Sequence, residues 1–306
     1  MERVVVLQGM EKVEKSENDN ICRKKTRIAD DIMYILIYLS AGLAVALLIG
    51  ILGYVFMRGI SQVNWSFLTS VTSVLQGTTG IAGNILNTIY VIVLTLLVAA
   101  PVGIGSAIYL NEYAKPGKFI KIIQFTTETL AGIPSIIFGL FGMVFFGNTL
   151  GFGYSLLTGS LTLAIMVLPL ITRNTQEALK TVPDSYRSGA LGMGATKWYM
   201  IRTILLPSAL PGIVTGVILA IGRIVGESAA LLFTAGSGFL LPRTAQGYFT
   251  KVLESGGTLT IQLYLSMSKG QYDIAFGIAV VLLVIVLAIN FLTKVLAGKL
   301  DVNKQK

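Results

Sequence analysis

The stretch "LPGIVTGVILAIGRIVGESAALLF", Leu210–Phe233, is apolar along nearly its whole length, yet it carries Arg223 and Glu227 four residues apart. A helix on the core of a soluble protein alternates apolar and polar faces with a period of 3.6 residues. This run shows no such stripe. Its length matches the about 20 residues needed to cross the roughly 30 Å of a bilayer's hydrocarbon. In lipid every backbone group must find its partner within the protein, so a helix is the expected conformation. Five further runs of the same kind flank it, at about Ile32–Met57, Ile85–Leu110, Phe125–Phe146, Leu156–Thr172 and Ile274–Val295. The expected fold is all-α, a polytopic membrane domain of six spans over residues 32–300. Polar tails at 1–31 and 301–306 flank it.

Composition agrees. The 306 residues are 54% hydrophobic and only 13% charged, with a mean hydropathy of +0.75. A soluble domain carries about twice that charge fraction. There is no histidine, which removes the commonest general base and transition-metal ligand. A single cysteine, Cys22, cannot form an internal disulfide. The net charge of +9 raises the question of nucleic acid, and the positions of the charges answer it. Seven lysines and arginines precede the first span, three lie in Lys115–Lys121, five in Arg173–Arg202 and four in Lys294–Lys306, at the end of the sixth span and after it. The alternate segments hold only Arg58, Arg243, Lys251 and Lys269. That asymmetry is the positive-inside pattern and puts both termini in the cytoplasm. It accounts for the basic charge without nucleic acid. The segment 1–31, with Arg23, Lys24, Lys25 and Arg27, reads as a retained tail, since the following run is long enough to span and no small-residue cleavage site is evident.

The expected outer segments 58–84 and 234–273 are long and rich in Gly, Ser and Thr, while 147–155 is short. Docking surface and plain connector both stay open for them. No internal repeat is visible.

The inner segment 173–206 interrupts the apolar pattern with "SGALGMGATKWYMIRTILLP", Ser188–Pro207. Pro183 and Asp184 suit a helix start. Gly192 and Gly194 break that helix, and Thr196 is placed to cap a second one carrying Trp198, Ile201 and Leu205. One reading is an amphipathic connector on the inner leaflet. The other is a compact docking element, because Gly189, Ala190 and Gly194 are small enough for another helix to approach closely.

This stretch resembles the cytoplasmic signature loop of bacterial ABC-importer permeases. Gly194, Ile204, Leu206 and Pro207 fall at the motif spacing, with Ala190 as its second alanine. Ser188 stands where the motif has glutamate and Gly189 where it has its first alanine. The likeness extends to "YLNEYAKPGK" (Tyr109–Lys118), "LAGIPSIIFGLFG" (Leu130–Gly142), "EALKTVPDSYRSGALGMGATKW" (Glu177–Trp198) and "LPSALPGIVTGVILAIGRIVGESAALLFTAG" (Leu206–Gly236). Together these are similar to the PstA-type permease family of bacterial phosphate ABC importers, over about residues 85–297. The resemblance implies a non-catalytic permease subunit without cofactor. It implies a sister permease of PstC type, two cytoplasmic ATPase subunits, an external phosphate-binding protein and phosphate as substrate. It also implies that Ser188, Gly189, Ala190, Gly194, Ala195, Thr196, Lys197, Trp198, Ile204, Leu206 and Pro207 form the ATPase coupling element. No Gly-x-x-x-x-Gly-Lys-[Ser/Thr] loop occurs, so the usual ATP cradle is missing and the energy must come from a partner.

Arg223 lies about 20 Å along its helix at ~1.5 Å per residue, counted from Leu210. A charge there costs about 2.5–3.5 kcal/mol on insertion scales. Three readings stay open: a mutually neutralising pair with Glu227, an anion path lined by Arg223 and steadied by Glu227, or an ion pair with another subunit. The anion path is favoured because a guanidinium fork matches phosphate oxygens. Glu128, near the start of the third span, is a further pathway candidate. Gly212 with Gly216, and Gly222 with Gly226, are expected to serve helix packing. Gly132-Ile133-Pro134-Ser135 is expected to break the third span, and Gly103 and Gly105 to soften the second. The competing functions are an ion-driven secondary transporter using Glu227, a permease for another oxyanion, and a membrane-embedded enzyme.

Overall fold

A computed structural model describes residues 28–73, 78–115, 117–242 and 244–300. Cys22, the Arg23–Arg27 cluster, Arg243 and the tail 301–306 lie outside the described residues. Contacts divide the chain into Met1–Tyr54 and Val55–Lys306. In the first unit the described residues form most of helix α1 (Ile28–Gly59). Asp30 and Asp31 occupy its first turn, where the partial positive charge of a helix N-terminus favours carboxylates.

The second unit begins with the end of α1 and α2 (Trp65–Thr69), whose Asn64 cap accepts from the Phe67 N–H at 2.8 Å. A small antiparallel pair follows, β1 (Val71–Ser73) and β2 (Thr78–Ile81), with Val71 opposite Ile81. This hairpin is an addition to the expected all-α plan. Then come α3 (Ala82–Ile108), α4 (Lys118–Gly132), α5 (Ser135–Gly142), α6 (Leu156–Lys180), α7 (Asp184–Gly192), α8 (Lys197–Met200), α9 (Leu206–Gly226), α10 (Ala229–Thr234), α11 (Ala245–Thr250), α12 (Leu259–Ser268) and α13 (Tyr272–Leu300). Three wide π-helical turns extend α3 through Tyr113, extend α5 through Thr149 and join α8 to α9 over Ile201–Leu205.

Among the described residues five helices are long and apolar enough to cross a membrane, and six spans result if one bent pair counts as a span. That pair is α4 and α5, bent by 102°. Pro134 lacks an N–H and disfavours helical geometry at the residue before it. Ile133 accordingly adopts φ −73°, ψ 132°. The expected continuous span Phe125–Phe146 is therefore two helices meeting at a corner, at the break the Gly-Ile-Pro-Ser run suggests.

The fifth expected span is also interrupted. Helix α9 stops at Gly226, Glu227 is extended at φ −81°, ψ 129°, and α10 restarts at Ala229. The freed groups are satisfied locally: the Glu227 carboxylate accepts from the Ala230 N–H at 3.1 Å, and Thr260 of α12 donates to the Glu227 carbonyl at 2.8 Å. A broken helix at membrane depth persists only with such partners. Helix α6, by contrast, outruns its expected end at Thr172 by two turns.

The core lies where α3, α6 and α9 meet, around Val91, Ala99, Leu163, Val167, Ile171, Ala220 and Ile224. Gly212 and Gly216 of α9 face Ala178 and Asn174 of α6, where an added Cβ would fall within 3 Å of a side-chain carbon. Nothing lies within 4 Å of the corresponding point at Gly222 or Gly226. The first pair packs within the chain, and the second faces open space.

The segment 234–273 is a folded cap. The N–H groups of Gly256 and Gly257 donate to the carbonyls of Ala235 and Gly238, at 2.9 and 2.6 Å. Buried Asn84 and Asn87 at the start of α3 donate to Gly257 and Gly238 carbonyls. Gly83 fits directly against the Phe239 carbonyl. A plain connector would leave those asparagines unpaired, at a cost of about 1–3 kcal/mol each.

Candidate functional site: a cation-lined cleft and a glycine elbow

Two regions carry chemistry. The first is a cleft of about 180 Å³ between α4, α6 and α9, lined by Thr127, Glu128, Ala131, Met166, Pro169, Leu170, Arg173 and Arg223. It adjoins a second cleft of about 250 Å³ that shares Thr127, Glu128 and Arg173 and adds Gln124, Gln176, Glu177 and Lys180. The bend at Ile133–Pro134 turns α4 so that Thr127 and Glu128 meet α6. Arg223 sits one turn from the end of α9, and Arg173 lies about two turns from the end of α6.

The structure thus brings together Arg223 and Glu128 and leaves Glu227 out. Arg223 forms no ion pair with Glu227, whose carboxylate caps α10. The helix ends between them, so the i,i+4 geometry expected of the pair does not exist. Arg173 is the residue that sequence reasoning missed. Its count as a loop charge followed from ending the fourth span at Thr172. Its signal was the Glu177 four residues on, a helical i,i+4 pair that the structure contains at 3.1 Å. Both partners of that pair are largely exposed, so it ties Arg173 down only weakly.

The second region is the elbow between α6 and α9. Helix α7 ends in a reciprocal C-terminal bond pattern: Ala195 N–H donates to the Ala190 carbonyl at 3.1 Å and Gly194 N–H to the Leu191 carbonyl at 3.0 Å. That pattern requires a left-handed residue just past the helix, and Gly194 supplies it at φ +83°. Thr196 then caps α8 by accepting from the Tyr199 N–H. Ser188, Gly189, Gly194, Thr196, Lys197 and Trp198 are exposed. Ala190 is buried, and half-buried Ala195, Ile204 and Leu206 pack on the cluster of Leu179, Val182, Ala190, Met200, Ile201 and Leu205. Pro207 is half-buried at the first turn of α9. The motif's apolar members therefore hold the elbow together, while its small and polar members face outward beside Met193 (85% exposed) and Trp198 (59%).

Residues 99–303 match the model of the binding-protein-dependent transport system inner membrane component family. The chain belongs to this family. It is a multi-pass inner-membrane permease subunit of an ATP-driven importer, without catalytic activity of its own; ATP hydrolysis and external substrate capture belong to separate subunits. The ion-driven and enzymatic alternatives fall with that membership. The probable ABC transporter permease protein YqgI of Bacillus subtilis is 37% identical over 210 residues, covering 69% of this permease and 71% of that one. The phosphate transport system permease protein PstA 2 of Mycobacterium bovis is 34% identical over 245 residues, 79% of each chain. The permease fold is shared with a bacterial alginate ABC transporter solved with its pentasaccharide-bound periplasmic protein. The TM-score is 0.66 at 16% identity, over 90% of this permease and 96% of that chain.

Proposed function

We propose that this permease imports inorganic phosphate, with Arg223 and Arg173 as its cationic contacts and Thr127 and Glu128 beside them. The observation that carries the reading is that Arg173 and Arg223, from two different helices, both line one cleft of about 180 Å³. Two planar forks can share the oxygens of one tetrahedral anion. Glu128 opposes them and keeps the anion from binding too tightly to leave. The name of the mycobacterial relative supports phosphate. The sister permease is of PstC type, the external partner is a phosphate-binding protein, and both termini lie in the cytoplasm, a side supported by the lysine and arginine asymmetry.

The elbow Ser188–Pro207 then faces the ATPase pair. Its exposed Met193, Trp198 and Tyr199 are an apolar contact surface that nucleotide-driven closure can push. The test is uptake into vesicles by the reconstituted complex, with phosphate-loaded against sulfate-loaded binding protein. Phosphate-selective, ATP-dependent uptake is expected. Uptake of sulfate at the same rate overturns the substrate assignment.

A further inference from the structure

The elbow is tied to the rest of the permease at one buried point. The Arg187 guanidinium of α7 donates to Glu112 Oε1 at 3.0 and 3.2 Å, to Asp184 Oδ1 at 3.0 Å, and to the carbonyls of Leu179 and Val182, each at 2.9 Å. Leu179 lies in the last turn of α6, Val182 in the linker behind it, and Glu112 in the wide turn that ends α3. One side chain thus joins the ends of two spans to the first helix of the elbow. Arg187 and Glu112 side chains are 19% and 5% exposed, so water competes little for the bonds between them, whereas Asp184 is 98% exposed and its bond adds little. Asn111 donates to the same Glu112 oxygen at 2.7 Å. A second tie runs parallel: Lys197 Nζ of α8 lies 5.0 Å from the centre of the Tyr113 ring. Ile104 and Ile108 of α3 pack on the apolar cluster under the elbow.

We infer that Arg187 is the joint that carries displacement of the elbow into α3 and α6, with Glu112 as its fixed point. The inference rests on the elbow being the coupling element. A push on an apolar contact alone lets helices slide, whereas a guanidinium with four acceptors in three segments fixes their relative position. With the joint intact, α7, α3 and α6 move as one block, and α6 carries Arg173 of the cleft. Without it, the elbow still receives the push and the spans fail to follow.

The test uses the full importer complex in liposomes, comparing the parent with Arg187→Ala, Arg187→Lys and Glu112→Gln. Two quantities are read: phosphate taken up per ATP hydrolysed, and nucleotide-dependent hydrogen exchange at 184–205 and at 105–113. In the parent both segments are expected to respond. In Arg187→Ala the response at 184–205 persists, that at 105–113 disappears, and uptake per ATP falls by about 5-fold or more, the lower range of energetic coupling between sites. Arg187→Lys retains part of it. A merely structural role would lower uptake and hydrolysis in proportion, and an unchanged ratio overturns the inference. If Arg187→Ala fails to assemble, Glu112→Gln decides, since it keeps shape and an acceptor oxygen: a reduced ratio supports the joint and an unchanged one contradicts it. Absence of any response at 184–205 in the parent overturns the coupling reading itself, a pattern distinct from failure of the joint alone.

Discussion

Arg223 and Arg173 illustrate what a single residue can and cannot announce. Arg223 is legible because an arginine within an apolar run is costly and therefore conspicuous. Arg173 is not, because it lies just past the apolar window and has a carboxylate partner at the next turn; only the two extra turns of α6 bring it to the cleft. Arg173→Ala is expected to weaken phosphate uptake about 10-fold, within the range of one lost hydrogen bond to a charged group. Arg173→Lys is expected to recover only part, since a lysine offers a point charge and no fork. Uptake kinetics over a range of phosphate concentrations check both. At Gly194 the backbone decides. Any L side chain at φ +83° costs about 1–2 kcal/mol, so Gly194→Val should distort the elbow, leave membrane insertion intact and reduce uptake. Quantifying the inserted subunit beside the uptake rate separates those effects.

At the scale of elements, the six apolar runs carry their own signal through length and composition, and the corner at Pro134 follows from proline chemistry. The break at Glu227 was hidden. It depends on Thr260, far away in sequence, satisfying the freed carbonyl, and no local pattern encodes such a partner. The β1–β2 pair was hidden for a similar reason, since its strands are only three and four residues long. For 234–273 composition left docking surface and plain connector open, because its glycines serve close backbone approach, which composition cannot distinguish from flexibility. Gly83→Ala should expose this difference. Its methyl group would collide with the Phe239 carbonyl, so the cap is expected to loosen and proteolysis within 240–256 to accelerate. Gly222→Ala, which meets nothing within 4 Å, should leave the subunit's thermal stability unchanged or slightly raised, since alanine is the better helix former by about 1 kcal/mol. A stability loss at Gly222 in the isolated subunit would contradict the open face assigned to it.

For the whole molecule, the helices form a frame with chemistry at two places. The cationic cleft lies between α4, α6 and α9, beside the α3–α6–α9 core, and the elbow that follows α6 offers a glycine-ended contact held by Arg187. The sequence alone conveyed the frame and the elbow, through apolar length and the Gly194–Pro207 spacing. The composition of the cleft needed the fold, because its walls come from three helices separated by up to a hundred positions. The most direct measurement is ATP-driven phosphate uptake by the reconstituted complex carrying Arg223→Ala. Uptake is expected to fall about 10- to 100-fold, the range for the loss of one hydrogen bond to a charged group, with the complex still assembled. Uptake at the parental rate would contradict a phosphate path through this cleft.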